Sequence, residues 1–194
     1  MAWLALCGLL VLGMAGASLL GNSAAALAWD RLHWASEPWT LWTASLVHLS
    51  PAHALANLLA LGALGLLGWG LHAGRAATVA ALLAWPLGTL ALLAWPEVGR
   101  YSGLSGLLHA LVGVLWAHSL LFAARPWSFV VFSGLALKLL TEQGWAQPVV
   151  FDTAWGFNVV SAAHFSGALA GMAAGLGVGL WVRGQRHRAA IIPR

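Results

Sequence analysis

The sequence predicts an all-α integral membrane protein, a bundle of six transmembrane helices, and three observations predict it. Hydrophobic residues make up 61% of the 194 residues and charged residues 7%, where soluble domains carry about 25% charged residues, so no water-facing surface could be built from this chain. The apolar residues are gathered into runs that suit spans of about 20 residues each, which leaves room for six helices and no second domain. The basic residues fall between and after those runs. Despite a sequence pI of about 10.7, they therefore read as topology signals, and no nucleic-acid partner is expected.

Residues 1–28 hold the first span, uncharged from Ala2 to Gly21. Small residues from Ser23 to Ala28 would suit a signal peptidase, but no basic segment precedes the run, so it is read as a span. Cys7 is the single cysteine, which leaves no internal disulfide and predicts a small core residue. Residues 29–45 form an interfacial loop, where Asp30, Arg31, His33 and Glu37 interleave with Trp29, Trp34, Trp39 and Trp42 at headgroup level. Residues 46–182 carry spans two to six: Leu46 to Trp69, Ala76 to Trp95 with a kink expected at Pro86, Gly103 to Ala124, Trp127 to Leu140, and Asn158 to Val182. Pro96 and Pro126 fall where spans should end. Residues 183–194 form a basic tail. Placing both termini in the cytoplasm puts Arg75, Arg125 and the tail arginines inside and all five acidic residues outside, as the positive-inside rule asks.

The chemistry is concentrated where the fourth span begins, at Gly103-Leu-Ser105-Gly106. A serine hydroxyl needs a base within hydrogen-bond reach and donors for the oxyanion it creates. The second span enters from the same side with His48, His53 and Asn57, and the last two share a helix face. The sixth supplies His164, followed by Gly167, Gly171 and Gly175. The fourth has its own small-residue stripe, Gly106, Ala110, Gly113 and Ala117. Helices in lipid approach through such stripes, which would bring Ser105 to the face holding His164. Polar and ionisable groups are costly inside a bilayer and mark functional interiors. His33, His72 and His187 are assigned no chemistry, and His118 is given packing or an interhelical hydrogen bond.

Taken together and in order, His48-x4-His53-x3-Asn57, Gly103-Leu-Ser105-Gly106 and Ala163-His164-x2-Gly167-x3-Gly171 resemble the rhomboid family of intramembrane serine proteases, over essentially the whole chain. The resemblance implies a rhomboid-like bundle with Ser105 as nucleophile and His164 as general base and then acid. It implies an oxyanion site from His53, Asn57 and the Ser105 backbone N–H, with His48 bracing it and Gly103, Gly106, Gly167 and Gly171 as supporting positions. Two departures stand out. Glu37-Pro-Trp39-Thr40 lacks an arginine that family members often carry in the first loop, which leaves the bracing of that loop open. His109 stands where many members have a tyrosine stacked on the catalytic histidine, so it would stack on His164 or compete as base.

His109, the short build and Lys138-Leu-Leu-Thr-Glu142-Gln are most similar to the rhombosortase branch. That similarity implies a bacterial inner-membrane enzyme whose substrates are exported proteins with a C-terminal Gly-Gly motif, one span and a basic tail. No acidic residue is expected near His164, so the machinery is a dyad without a carboxylate. No His-Glu-x-x-His is present, and no metal or cofactor is expected. Expected partners are transmembrane substrates and the lipid bilayer, with the oligomeric state open. A catalytically inactive, rhomboid-like binding protein is the alternative, and a haem protein using the eight histidines is a more remote one.

Overall fold

The structure, a computed structural model, describes residues 1–123 and 125–191. Ala124, the expected end of the fourth span, and Arg194 of the basic tail lie outside the described residues. In chain order the elements are Ala2–Leu19 (α1), the 3-10 segment Gly21–Leu27, Trp29–Asp30 (β1), Thr40–Thr43 (α2) and a 3-10 turn Ala44–Leu46. There follow Pro51–Gly70 (α3), Arg75–Leu90 (α4) continued by the 3-10 turn Ala91–Ala94, and Arg100–Tyr101 (β2). Ser105–Phe122 (α5), Arg125–Glu142 (α6), Val150–Asp152 (β3), Phe157–Val159 (β4) and Ser161–Ile191 (α7) complete the chain.

Five of the described helices are long and apolar enough to cross a membrane: α1, α3, α4 with its 3-10 end, α5 and α7. The protein is thus a multi-pass membrane protein. The remaining candidate, α6, is 18 residues long, as α1 and α5 are, but Arg125, Lys138 and Glu142 dilute its hydropathy. Lipid takes the place of water on the outside of the bundle. Leu12, Leu59, Leu66, Leu137 and Trp181 are 65–69% exposed, while Ser45, Asn57, Thr89, His164 and Ser166 are buried.

Several expected boundaries move. The second span starts at Pro51 and not Leu46, because Ser50 caps it: its hydroxyl accepts the His53 N–H at 3.2 Å and Pro51 takes a first-turn position, a cap worth about 1 kcal/mol. His48 therefore precedes the helix. Pro126 opens α6 instead of closing α5, since a first-turn proline gives up no helical hydrogen bond. The last span begins at Ser161, and residues from Phe157 to Val159 pair with Val150–Asp152 as a hairpin. Its far end runs to Ile191, so most of the basic tail continues the helix. The two short antiparallel pairings, β1–β2 and β3–β4, are additions to an otherwise helical fold.

The first loop is structured. Trp29 pairs with Tyr101 and Asp30 with Arg100, which ties the loop to the residues just before Ser105. Trp29 is fully buried, a core residue where an interfacial one was expected. The missing loop arginine is offset from another position. The Arg31 guanidinium donates to the carbonyls of Leu92, Leu93 and Trp95 at 3.4, 3.0 and 3.1 Å, around the turn that ends α4; those of Leu92 and Trp95 also accept backbone N–H groups, from Trp95 and Val98. Thr40, where the arginine was looked for, is buried and donates to the Glu37 carbonyl at 2.7 Å.

The helix pair that positions the site is α5 against α7, and here the stripes meet as expected. A Cβ on Gly167 or Gly171 would run into the carbonyl of Gly106 or Ala110, and one on Gly113 would lie 2.6 Å from the Ala168 carbonyl. A Cβ on Gly175 would come 2.7 Å from that of Ala117. Backbone lies on backbone, which lets van der Waals contact stand in for the absent hydrophobic drive. This register sets Ser105, the first residue of α5, beside His164 in the first turn of α7.

Candidate active site

Four helix ends converge at one end of the bundle: the starts of α3, α5 and α7 and the finish of α6. The Ser105 Oγ lies 2.9 Å from His164 Nε2. His164 is 5% exposed, and its other ring nitrogen, Nδ1, lies 2.7 Å from Glu142 Oε2. A carboxylate oxygen can only accept, so Nδ1 carries the proton and Nε2 presents its lone pair to the serine hydroxyl. That is the tautomer a base for Ser105 requires.

Glu142 corrects the expectation that no carboxylate lies near His164. Ending the fifth span at Leu140 put Glu142 in a loop, whereas α6 continues to it and brings it inward. Gln143 follows with a left-handed φ of 49°, and the next residue, Gly144, lies so close to the Ser161 carbonyl that a Cβ there would collide with it. The turn is also clamped by Trp95 Nε1–H donating to the Trp145 carbonyl at 3.2 Å and by Trp145 against Phe165. The signal available in the sequence was Lys138 and Glu142 four apart on an apolar run; they form an ion pair at 2.7 Å.

His109 takes the stacking position. Its ring lies parallel to that of His164, centroids 4.3 Å apart and planes 13° apart. Its Nδ1–H donates to the Ser105 carbonyl at 2.7 Å. The nitrogen on the serine hydroxyl belongs to His164. His109, Glu142 and His164 offer ligand atoms within 4.8 Å of one another, close enough for a metal by distance. Both His164 nitrogens are already engaged, however, with Ser105 and Glu142, so a metal would have to displace the hydrogen bonds just described.

His53, Asn57 and Ser105 line a cavity of about 640 Å³ between α3, α5 and α6, together with Glu142 and His164. Among the described residues, none gives the buried His53 Nδ1 or Asn57 Nδ2 a hydrogen-bond partner, an arrangement that costs free energy unless a ligand or water supplies the acceptor. Gly103 makes room for the imidazole. It has φ of 120°, and a Cβ there would stand 2.9 Å from His53 Cε1. His48 sits edge-on to His53 at 5.1 Å and donates from Nδ1 to the Leu46 carbonyl at 3.2 Å; burial pulls its pKa below the ordinary imidazole value, which keeps it neutral. His118, expected to pack or to bond a neighbouring helix, bonds the carbonyl of Leu71, the residue that follows α3, at 3.1 Å.

Three contributors were not foreseen. Tyr101 is buried and its hydroxyl donates to the Gly103 carbonyl at 2.6 Å; burial raises its pKa, so it remains a donor holding the strand that leads to Ser105. Trp155 and Phe157, on the β3–β4 hairpin, cover His53 at ring distances of 5.6 and 5.2 Å. An Asx turn at Asp152, which accepts the Ala154 and Trp155 N–H groups at 2.8 and 3.3 Å, shapes the hairpin tip. Asp152 followed by Gly156 was the turn signal in the sequence.

Residues 35–181, more than half of the chain, match the model of a family described as the Rhomboid domain. No curated protein matches the chain.

Proposed function

Because the chain belongs to the rhomboid family, whose members are in general intramembrane serine proteases, we propose that it cleaves membrane-anchored proteins by acyl transfer at Ser105. The observation that carries this reading is the Ser105–His164 hydrogen bond of 2.9 Å, opening into a cavity where two buried donors lack acceptors. Ser105 Oγ attacks the scissile carbonyl while His164 Nε2 takes its proton. The new oxyanion accepts from His53, Asn57 and the Ser105 backbone N–H. His164 then gives the proton to the departing amine as the C–N bond breaks, and water, activated the same way, releases the acyl-enzyme. His48 braces His53.

The substrate reading follows from the cavity. Its apolar lining of Ala56, Ala60, Leu64, Val130 and Leu135 suits a transmembrane segment, and its polar lining residues Lys138, Glu142 and Asp152 suit an extended stretch just outside one. The stacked His109 and the Lys138–Glu142 pair favour the rhombosortase branch, hence exported proteins with a C-terminal Gly-Gly motif, a span and a basic tail. We take α6 as a sixth span and place the chain in a bacterial inner membrane with both termini in the cytoplasm, on the distribution of its arginines.

Labelling with a tagged fluorophosphonate, which needs no known substrate, tests the chemistry, and cleavage of a Gly-Gly-tailed membrane reporter tests the substrate. Folded protein that neither labels nor cuts would leave a binding role as the better reading. The donors make a separate prediction. His53→Ala and Asn57→Ala are each expected to lower kcat by about 10²–10³ while KM moves little, since the oxyanion exists only on the way to the acyl-enzyme. A loss confined to KM would place them in substrate binding instead.

A further inference from the structure

We propose that Glu142 is a positioning residue for the reaction, a carboxylate that fixes His164 in its Nδ1–H tautomer and stabilises the imidazolium formed when Ser105 gives up its proton. The inference rests on the serine-protease reading above. Three independent contacts carry it. Glu142 Oε2 lies 2.7 Å from His164 Nδ1, and Lys138 Nζ holds the second oxygen at 2.7 Å, so the carboxylate cannot rotate away without breaking an ion pair. His109 covers one face of the imidazole, which leaves in-plane hydrogen bonds as the means of orienting it.

The backbone around Glu142 serves the same end. α6 ends at Glu142, the next residue, Gln143, is left-handed, and Gly144 lets the following turn press on Ser161 at the start of α7. The distance from Glu142 to His164 is thereby set by main-chain contact between the two elements. Charged and titratable groups around the pair come from every neighbouring element: His109 from α5, Lys138 from α6, His53 from α3 and Asp152 from β3. Lys138 is the one cation among them and is half-exposed, so the pocket around His164 remains acidic overall.

During acylation the proton moves from Ser105 Oγ to His164 Nε2 as the Oγ–C bond forms, and on to the leaving nitrogen as the C–N bond breaks. The Nδ1 proton stays on His164 throughout. A carboxylate in this place acts by orientation and charge and is not itself protonated.

A steady-state series on the full-length protein in membranes tests this, using a cleavable reporter and fluorophosphonate labelling. Glu142→Gln is expected to lower kcat by roughly 10²–10⁴ with KM changed by less than about threefold, because the carboxamide has the size of the carboxylate but lacks its charge. Glu142→Asp should recover part of that loss. Lys138→Met should lose no more than about tenfold, since Glu142 keeps its place on His164. In wild-type protein labelled with nitrogen-15 histidine, a strongly downfield Nδ1 proton resonance is expected, a readout that needs no variant. Glu142→Gln with wild-type kcat would overturn the proposal and reduce Glu142 to a partner in a structural ion pair. Ser105→Ala in the same series separates the two levels: if it still cleaves, the protease reading itself has failed.

Discussion

Ser105→Ala is expected to abolish both fluorophosphonate labelling and reporter cleavage, a loss on the order of 10⁵–10⁶ in kcat if the residual rate is that of binding and the oxyanion donors alone. His164→Ala should fall almost as far. On the proposed mechanism the two side chains, joined at 2.9 Å, act as one unit, so removing the second after the first should cost little more, and the double variant should match the single ones. His109→Ala should lose far less, about tenfold to a hundredfold. It removes a ring stacked at 4.3 Å and a donor to the Ser105 carbonyl, contacts that in the proposed mechanism position the reacting groups without taking the proton. The ranking is the informative result. If His109→Ala abolished labelling while His164→Ala kept it, the base would have been misassigned. Folding does not confuse the comparison for Ser105→Ala, since the substitution deletes one half-buried oxygen at a helix start.

How much of this was legible in the sequence follows from the range of the forces involved. The Ser105 and His164 pair could be read because small-residue stripes on two helices constrain each other strongly: once Gly167 and Gly171 are matched to Gly106 and Ala110, little freedom is left in the register. The orphaned donors of His53 and Asn57 follow from a four-residue spacing on α3 and were likewise foreseeable. Glu142 was hidden because a charge at the end of an apolar run looks like the border of a span, and only the Gly144 contact with Ser161 turns that border inward. Arg31 was hidden because its three carbonyl acceptors lie at the end of α4, far along the chain. No periodicity reports such a contact. The aromatic cover on His53 fell in a stretch with turn residues and no helical pattern, so the sequence offered a turn there but no partner for it.

Gly171→Leu is the structural counterpart of Ser105→Ala, expected to remove activity without touching a reacting atom. A Cβ at Gly171 would run into the Ala110 carbonyl and lie 2.7 Å from its carbon, and a leucine adds three more carbons beyond it. Backbone has no rotamer with which to yield, so α5 and α7 must move apart, at a cost of about 1–3 kcal/mol or more in packing. The site lies on those same two helices. A shift of about 1 Å between Ser105 and His164 is enough to lose roughly 10² in rate, and a leucine forces more than that, so labelling should drop to background while the melting temperature in detergent falls. Gly177→Leu is the control on the same helix, where an added Cβ meets nothing within 4 Å. It should leave melting and labelling near wild type. Equal damage at the two positions would mean that helix propensity or membrane insertion, not the α5–α7 contact, governs the loss. Damage confined to Gly171 would tie the proton-transfer distance directly to a stripe of residues that have no side chain.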